Sequence, residues 1–324
     1  TPQYRKEEKI YIAPHTPIEL SAIDPVINEV ASGIKEIYYS IDNQLFAIYN
    51  SPFALEEGIH EVRYYSVDNL GNKEEVKKAI YYVDNTPPET SITLGEPHCD
   101  GHEIEIADSG YSMKHTTPVV RGDTPIILES IDPVVKEVAS GVKLSKWRIA
   151  NSEWYIYEGP FTISNLPFAL KDGEYRIYYY ALDNVLNQEV IKSTVVILDN
   201  TPPEVYLTFP STGNTGLCKL INGVVEVTGR VFDFHLKWYR LDYRRYEETQ
   251  WHIAISTKER IVEEGILGYW DTTGLNDGWY VLRLVAQDCV KNEATTEVEV
   301  YICLLYTSDA ADEGLGVDLG GRRI

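Results

Sequence analysis

Asp84, Asp132, Glu137 and Asp183 are the residues of this sequence whose types and places could do chemistry. They are carboxylates set at the ends of alternating apolar runs or in the turns between them, and calcium prefers clustered oxygen donors of this kind. Asp84 opens Asp84-Asn-Thr-Pro-Pro-Glu89, which recurs as Asp199-Asn-Thr-Pro-Pro-Glu204. In a row of two-sheet domains, a linker enters beside the loops that join strands two to three and six to seven. That would bring Asp84 and Asn85 towards Asp132, Glu137 and Asp183, with Asp199, Asp233 and Asp288 repeating the arrangement more weakly. The expectation is a calcium ion between domains, and no other cofactor. A competing reading is structural, because aspartates at strand ends commonly cap their own turns. Asp68 has no visible upstream linker and yet carries the same sequence, which favours that second reading.

Other constellations are weaker. His98-Cys99-Asp100-Gly101-His102, with His115 later, holds donors that zinc or copper could use. Arg121-Gly122-Asp123 is an integrin-type tripeptide just before a strand, and a turn ending at Pro125 is the preferred reading. Trp147, Trp154, Tyr155 and Tyr157 could stack on sugar rings, or fill a half-buried aromatic strand. No Gly-x-Ser-x-Gly, Walker loop, His-Glu-x-x-His or dinucleotide fingerprint is present, so no catalytic residue is assigned and the chain is not read as an enzyme.

The elements that must position these residues are strands. Tyr, Val, Ile and Thr crowd short alternating runs, the composition of β-structure, and 24 of the 324 residues are tyrosine. Lys plus Arg is 29 against 50 Asp plus Glu, a net charge of −21, which lacks the basic footprint of nucleic-acid binding. With 44% hydrophobic residues the chain is not disordered. No apolar run reaches the roughly 18 residues of a membrane span. The chain opens on Thr1 rather than Met, so its true start is expected to lie upstream. Of the cysteines at 99, 218, 289 and 303, Cys218 and Cys289 map to opposite poles of one domain, far beyond disulfide reach. All are expected to be unpaired thiols.

Internal repetition is the strongest signal. Thr16–Lys35 returns as Thr124–Lys143, and Pro52-Phe-Ala-Leu55 as Pro167-Phe-Ala-Leu170; Trp154–Thr162 is the expected site of an insertion in the second copy. In the first copy, strands are predicted near 16–23, 34–41, 45–49, 52–55, 59–67 and 75–83, with residues 1–15 a remnant because the opening strand is missing. A third segment has strands predicted at Val205–Phe209, Val224–Phe232, Leu236–Tyr243, His252–Ser256, Leu267–Thr272, Trp279–Gln287 and Thr295–Ile302. Gly58-Ile-His60, Gly173-Glu-Tyr175 and Gly278-Trp-Tyr280 each open a penultimate strand that ends in Asp68, Asp183 or Asp288. Tyr175 and Tyr280 sit where a tyrosine corner belongs, with His60 a structural substitute. Two adjacent prolines cannot join a ladder, so each Asp-Asn-Thr-Pro-Pro stretch is a stiff joint.

The fold class is therefore all-β: three tandem immunoglobulin-like β-sandwiches joined by short Pro-Pro linkers. The expected domains are 1–88 (truncated at its start), 89–203, and 204–302 of a different subtype. Residues 303–324, with Cys303-Leu-Leu-Tyr-Thr-Ser308, read as translated sequencing adapter and are expected to add nothing to the fold.

Ser32-Gly33-Ile34, Tyr38-Tyr39-Ser40-Ile41-Asp42, Pro52-Phe53, Gly58 and Tyr64-Tyr65-Ser66-Val67-Asp68-Asn69, followed by Gly71-Asn72, resemble the OmpL-type Ig-like repeat of bacterial surface proteins. The match covers most of residues 10–203, departing where Leu186 replaces the turn glycine. Leu267–Thr273 and Leu275–Tyr280 are similar to Ig-like modules of large secreted bacterial proteins. The resemblance implies a non-catalytic structural or adhesive array, extracellular or at the cell surface and monomeric. Its partner would be an extracellular protein or polysaccharide, with neither nucleic acid nor membrane span involved. The alternative is an accessory, carbohydrate-binding region of a secreted hydrolase.

Overall fold

The computed structural model describes residues 3–210 and 220–303. By packing, the chain divides into two compact units. One comprises Thr1–His98 with Thr117–Asp199, and the other comprises Cys99–Thr116 with the residues from Asn200 on. Both are built from strands, as the β-branched and aromatic alternation dictates. None of the described helices is long and apolar enough to cross a membrane.

The first sandwich contains β1 (Gln3–Lys6), β2 (Lys9–Ile12), β3 (Ile34–Ile41), β4 (Ala47–Ile48), β5 (Gly58–Asp68) and β6 (Lys77–Val83). They form one sheet in the order β1-β2-β6-β5-β3-β4, with β2 parallel to β6. Residues 1–15 are thus not a remnant: Gln3–Ile12 make a hairpin that buries Ile12 beside Val83. The stretches predicted as strands at 16–23 and 52–55 pair only through an Ile18–Phe53 bridge. A strand needs a neighbour to complete its ladder, and among the described residues no strand stands beside this stretch as β7, Glu89–Leu94, does in the second sandwich. Ile12, Ile18, Leu55, Val62 and Val83 form the core.

In the second sandwich that partner is present. β7 (Glu89–Leu94) pairs antiparallel with β12 (Ile126–Ile131) as a two-stranded layer. The order of elements between and after them is β8 (His98–Cys99), β9 (His102–Ile106), β10 (Tyr111–His115), β11 (Val119–Val120), β13 (Val142–Ile149), β14 (Tyr155–Ile156), β15 (Gly173–Asp183) and β16 (Lys192–Leu198). The facing sheet runs β14-β13-β15-β16-β11-β8. Its core gathers Val120, Ile126, Leu128, Trp147, Ile149 and Ile177.

The second unit holds β17 (Glu204–Phe209), β18 (Leu220–Ile221), β19 (Val224–Phe232), β20 (Leu236–Arg245), β21 (His252–Lys258), β22 (Arg260–Asp271), β23 (Gly278–Asp288) and β24 (Glu293–Ile302). Its sheets are β10-β9-β22-β19-β17 and β18-β24-β23-β20-β21. The hairpin β9–β10 therefore belongs to this sandwich, β9 lying parallel to Arg260-Ile261 of β22. Ile104 explains the attachment, since it is buried among Val231, Leu236 and Ile261. Cys99 is bonded to Cys289 with Cα atoms 6.0 Å apart. The expectation of unpaired thiols fails for this pair, because the hairpin carries Cys99 to the loop after β23. Cys218 and residues 304–324 lie outside the described residues, as does nearly all of the tail read as adapter.

The corner at the start of the penultimate strand recurs in all three sandwiches. Gly58, Gly173 and Gly278 have φ of 139°, 148° and 148°, a region side chains disfavour. Two residues on, the Tyr175 hydroxyl donates to the Lys171 carbonyl (2.8 Å) and the Tyr280 hydroxyl to that of Asn276 (3.0 Å). His60 Nε2 sits 2.9 Å from the Glu56 carbonyl at the same spacing, so the histidine does replace the phenol.

Candidate functional site

Asp84 follows β6, Asp132 follows β12 and Asp183 ends β15. Their carboxylate oxygens come within 4.8 Å of one another at the junction of the first two sandwiches, inside one compact unit. Asp84 and Asp183 are fully buried and Asp132 is half-buried. Each is positioned by backbone donors. Asp84 Oδ2 accepts the Ser140 N–H (2.6 Å) and Asp132 Oδ2 accepts that of Gly141 (2.6 Å). Asp183 Oδ1 accepts from Val185 (2.9 Å) and Asn187 (2.8 Å), and its Oδ2 from the Asn187 amide (2.7 Å). That amide also donates to the Asp84 carbonyl at 2.9 Å. Asp132 Oδ1 is buried and has no hydrogen-bond partner.

The electrostatics follow from three acids sharing a buried place. Burial raises Asp183 to about 6; hydrogen bonds from Asn187 oppose the rise, and the charges of Asp84 and Asp132 add to it. Burial also holds Asp132 above the usual carboxylate range, with Asp84 contributing, against hydrogen bonds from Gly141 and Ser140. None of the three forms an ion pair with a basic side chain among the described residues. Such a cluster must hold protons or take up a cation. The donor set is all oxygen, so the cation it fits is a hard divalent one.

Glu137 stands apart, exposed in the turn at φ 66° and outside the cluster. Asp68 and Asp288 repeat the Asp183 loop bond for bond, each receiving two N–H groups and the side-chain amide of Asn72 or Asn292. The strand-end aspartates therefore do cap their turns, and Asp183 does so while also facing two other acids. Sequence reasoning missed the Asn at the fifth loop position, although its threefold recurrence (Asn72, Asn187, Asn292) was the available signal. It also missed the buried Glu189, which accepts the Thr90 and Ala181 N–H groups (2.8 and 3.1 Å) and pairs with Lys192.

The remaining candidates are taken up by the fold itself. Cys99 is in the disulfide and offers no thiolate to a metal. The Arg121 guanidinium grips Asp123 of its own tripeptide at 2.6 and 2.8 Å and keeps that carboxyl below its ordinary range. Trp147 is buried against Phe161 and Tyr155, while Trp154 packs edge-on against Tyr180 with Arg148 beside it.

Set beside known proteins, the chain aligns with several solved tandem β-domains. No family model matches the chain, and no curated protein matches its sequence. The fibronectin(III)-like modules of Clostridium thermocellum CbhA align at TM-score 0.33 and 13% identity, over 65% of this chain and 94% of theirs. A tetra-tandem repeat from the extending region of a large adhesion protein aligns at 0.28 and 14%, over 83% and 92%. A bacterial 1.5-MDa ice-binding adhesin aligns at 0.30 and 10%, over 85% and 88%. At these values the likeness carries no conclusion about this chain.

Proposed function

We propose that this chain is a non-catalytic spacer within the adhesive array of a secreted or cell-surface prokaryotic protein, and that calcium stiffens the joint between its first two sandwiches. The observation that carries the reading is the convergence of Asp84, Asp132 and Asp183 within 4.8 Å at that joint. Asp84 belongs to the linker, whereas the other two belong to the sandwich that follows, so a cation held by all three fixes an angle between modules. The unpartnered Asp132 Oδ1 gives such an ion an oxygen not already used by the backbone. Calcium suits three carboxylates supplemented by carbonyls and waters better than magnesium, which demands a stricter octahedron. The Cys99–Cys289 disulfide supports an oxidising, extracellular compartment. The net charge of −21 supports a soluble, mutually repelling array.

The test is thermal unfolding of the full chain in millimolar calcium and in chelator. Calcium binding to the folded joint raises the midpoint, by linkage, and Asp132→Asn abolishes the rise. Identical midpoints in both conditions would leave the three aspartates as turn residues alone.

A further inference from the structure

The first two sandwiches repeat one another in sequence, yet the same positions stand in different surroundings. Val138 and Val185 of the second are 2% and 1% exposed, because Tyr11 of the first packs on them with Tyr82 alongside. Their counterparts in the first, Val30 and Leu70, are 70% and 79% exposed. The difference is not general to the pole: Val26 and its counterpart Val134 are 70% and 71% exposed, alike in both copies. Only the positions that receive the base of the preceding sandwich switch.

The polar groups tell the same story. In the second sandwich, the Thr124 hydroxyl hydrogen-bonds the Pro97 carbonyl just past β7. In the first, the Thr16 hydroxyl is 9% exposed on its residue and has no partner. Glu189 and Lys192 hold the Thr90 N–H and carbonyl at 2.8 and 2.9 Å; Glu74 and Lys77 stand at the matching sites, paired with each other at 2.8 Å as Glu189 and Lys192 also are at 2.5 Å. Ile126–Ile131 runs a full antiparallel register with β7, whereas Ile18–Ile23 has a single bridge. Asp24 and Asp68 occupy the places of Asp132 and Asp183. The groups that the second sandwich uses to grasp Asp84–Leu94 recur in the first, except Ser130, which bonds the Thr90 hydroxyl at 2.9 Å and is matched there by Ala22.

We infer that this end of the first sandwich is a docking surface, and that its occupant is the base of another repeat of the same kind. That repeat supplies a Tyr on Val30 and Leu70, then an Asp-Asn-Thr-Pro-Pro-Glu-Thr segment that adds a strand beside Ile18–Ile23. The added strand gives its backbone to an unsatisfied edge, a mode of recognition in which the ladder supplies affinity and the flanking side chains register. This inference rests on comparison of the two copies and does not depend on a cation at the joint.

A chain with residues 1–98 duplicated ahead of Thr1 tests it, using amide hydrogen exchange in the Thr16–Ile23 stretch. One copy is then covered and the other is not, so exchange splits into equal populations differing by at least about ten-fold, the covered one slow. A single fast population overturns the inference. Leu70→Glu in the covered copy lowers that chain's melting midpoint, whereas in the natural chain it leaves the midpoint in place; an equal effect in both also overturns it. Should the duplicated chain fail to fold, a synthetic peptide of residues 82–97 is titrated into the natural chain. Saturable protection of Thr16–Ile23, lost with the sequence scrambled, sustains the inference, and no protection at millimolar peptide ends it.

Discussion

The Tyr280 hydroxyl donates to the Asn276 carbonyl at 3.0 Å on a residue that is itself buried. Tyr280→Phe strips that carbonyl of its partner and is expected to cost about 1–3 kcal/mol in chemical denaturation of the full chain. Unchanged stability would mark the bond as dispensable. Asp183 gives a second expectation at this scale, in chelator. Its carboxyl is held at about 6 in the folded chain, above the ordinary value of about 3.9. The folded state therefore binds more protons than the unfolded one between those values. Stability contributed by this group is present at low pH and falls as pH rises from about 4 to about 6, by about 3 kcal/mol at most. A stability that rises across that window, once other acids are controlled for with Asp183→Asn, would contradict it. The tyrosine corners were legible because a Gly-x-Tyr that opens a long alternating strand puts the phenol within reach of the carbonyl four residues upstream. The partnership of Asp84 with the Ser140 N–H was not, since it needs the register of two modules at once.

At the scale of elements, the strands of the third sandwich were legible from alternation, with one lapse. β22 begins at Arg260 rather than near Leu267, because Glu263-Glu264-Gly265 interrupts the pattern where the ladder with β19 changes register. The hairpin β9–β10 was hidden for a different reason. Its alternation is ordinary, but which sheet it joins depends on Ile104 finding a core that lies a hundred residues further on. Val138 makes the comparable point for the joint. Val138→Asp puts an unpaired charge among Tyr11 and Val185 and is expected to destabilise the first unit by about 3 kcal/mol or more. Val30→Asp at the matching exposed position should be nearly neutral. Equal effects in denaturant titrations of the two variants would refute the asymmetry.

At the scale of the molecule, the disulfide closes a loop between residues 190 apart in sequence. Chain entropy alone sets an upper bound of about 5 kcal/mol on what it adds to stability. Its larger consequence is mechanical. A pull on the two ends of the chain travels through the sulfurs at Cys99 and Cys289 and bypasses everything between them. β11 to β16 of the second sandwich and most of the third carry no tension while the bond is intact. Residues 100–288 are slack held in reserve, roughly 3.3–3.6 Å for each residue when extended. Stretching single molecules should show that length, on the order of 600 Å, only after a reductant is added. Redox state would then set how far the chain can lengthen under tension.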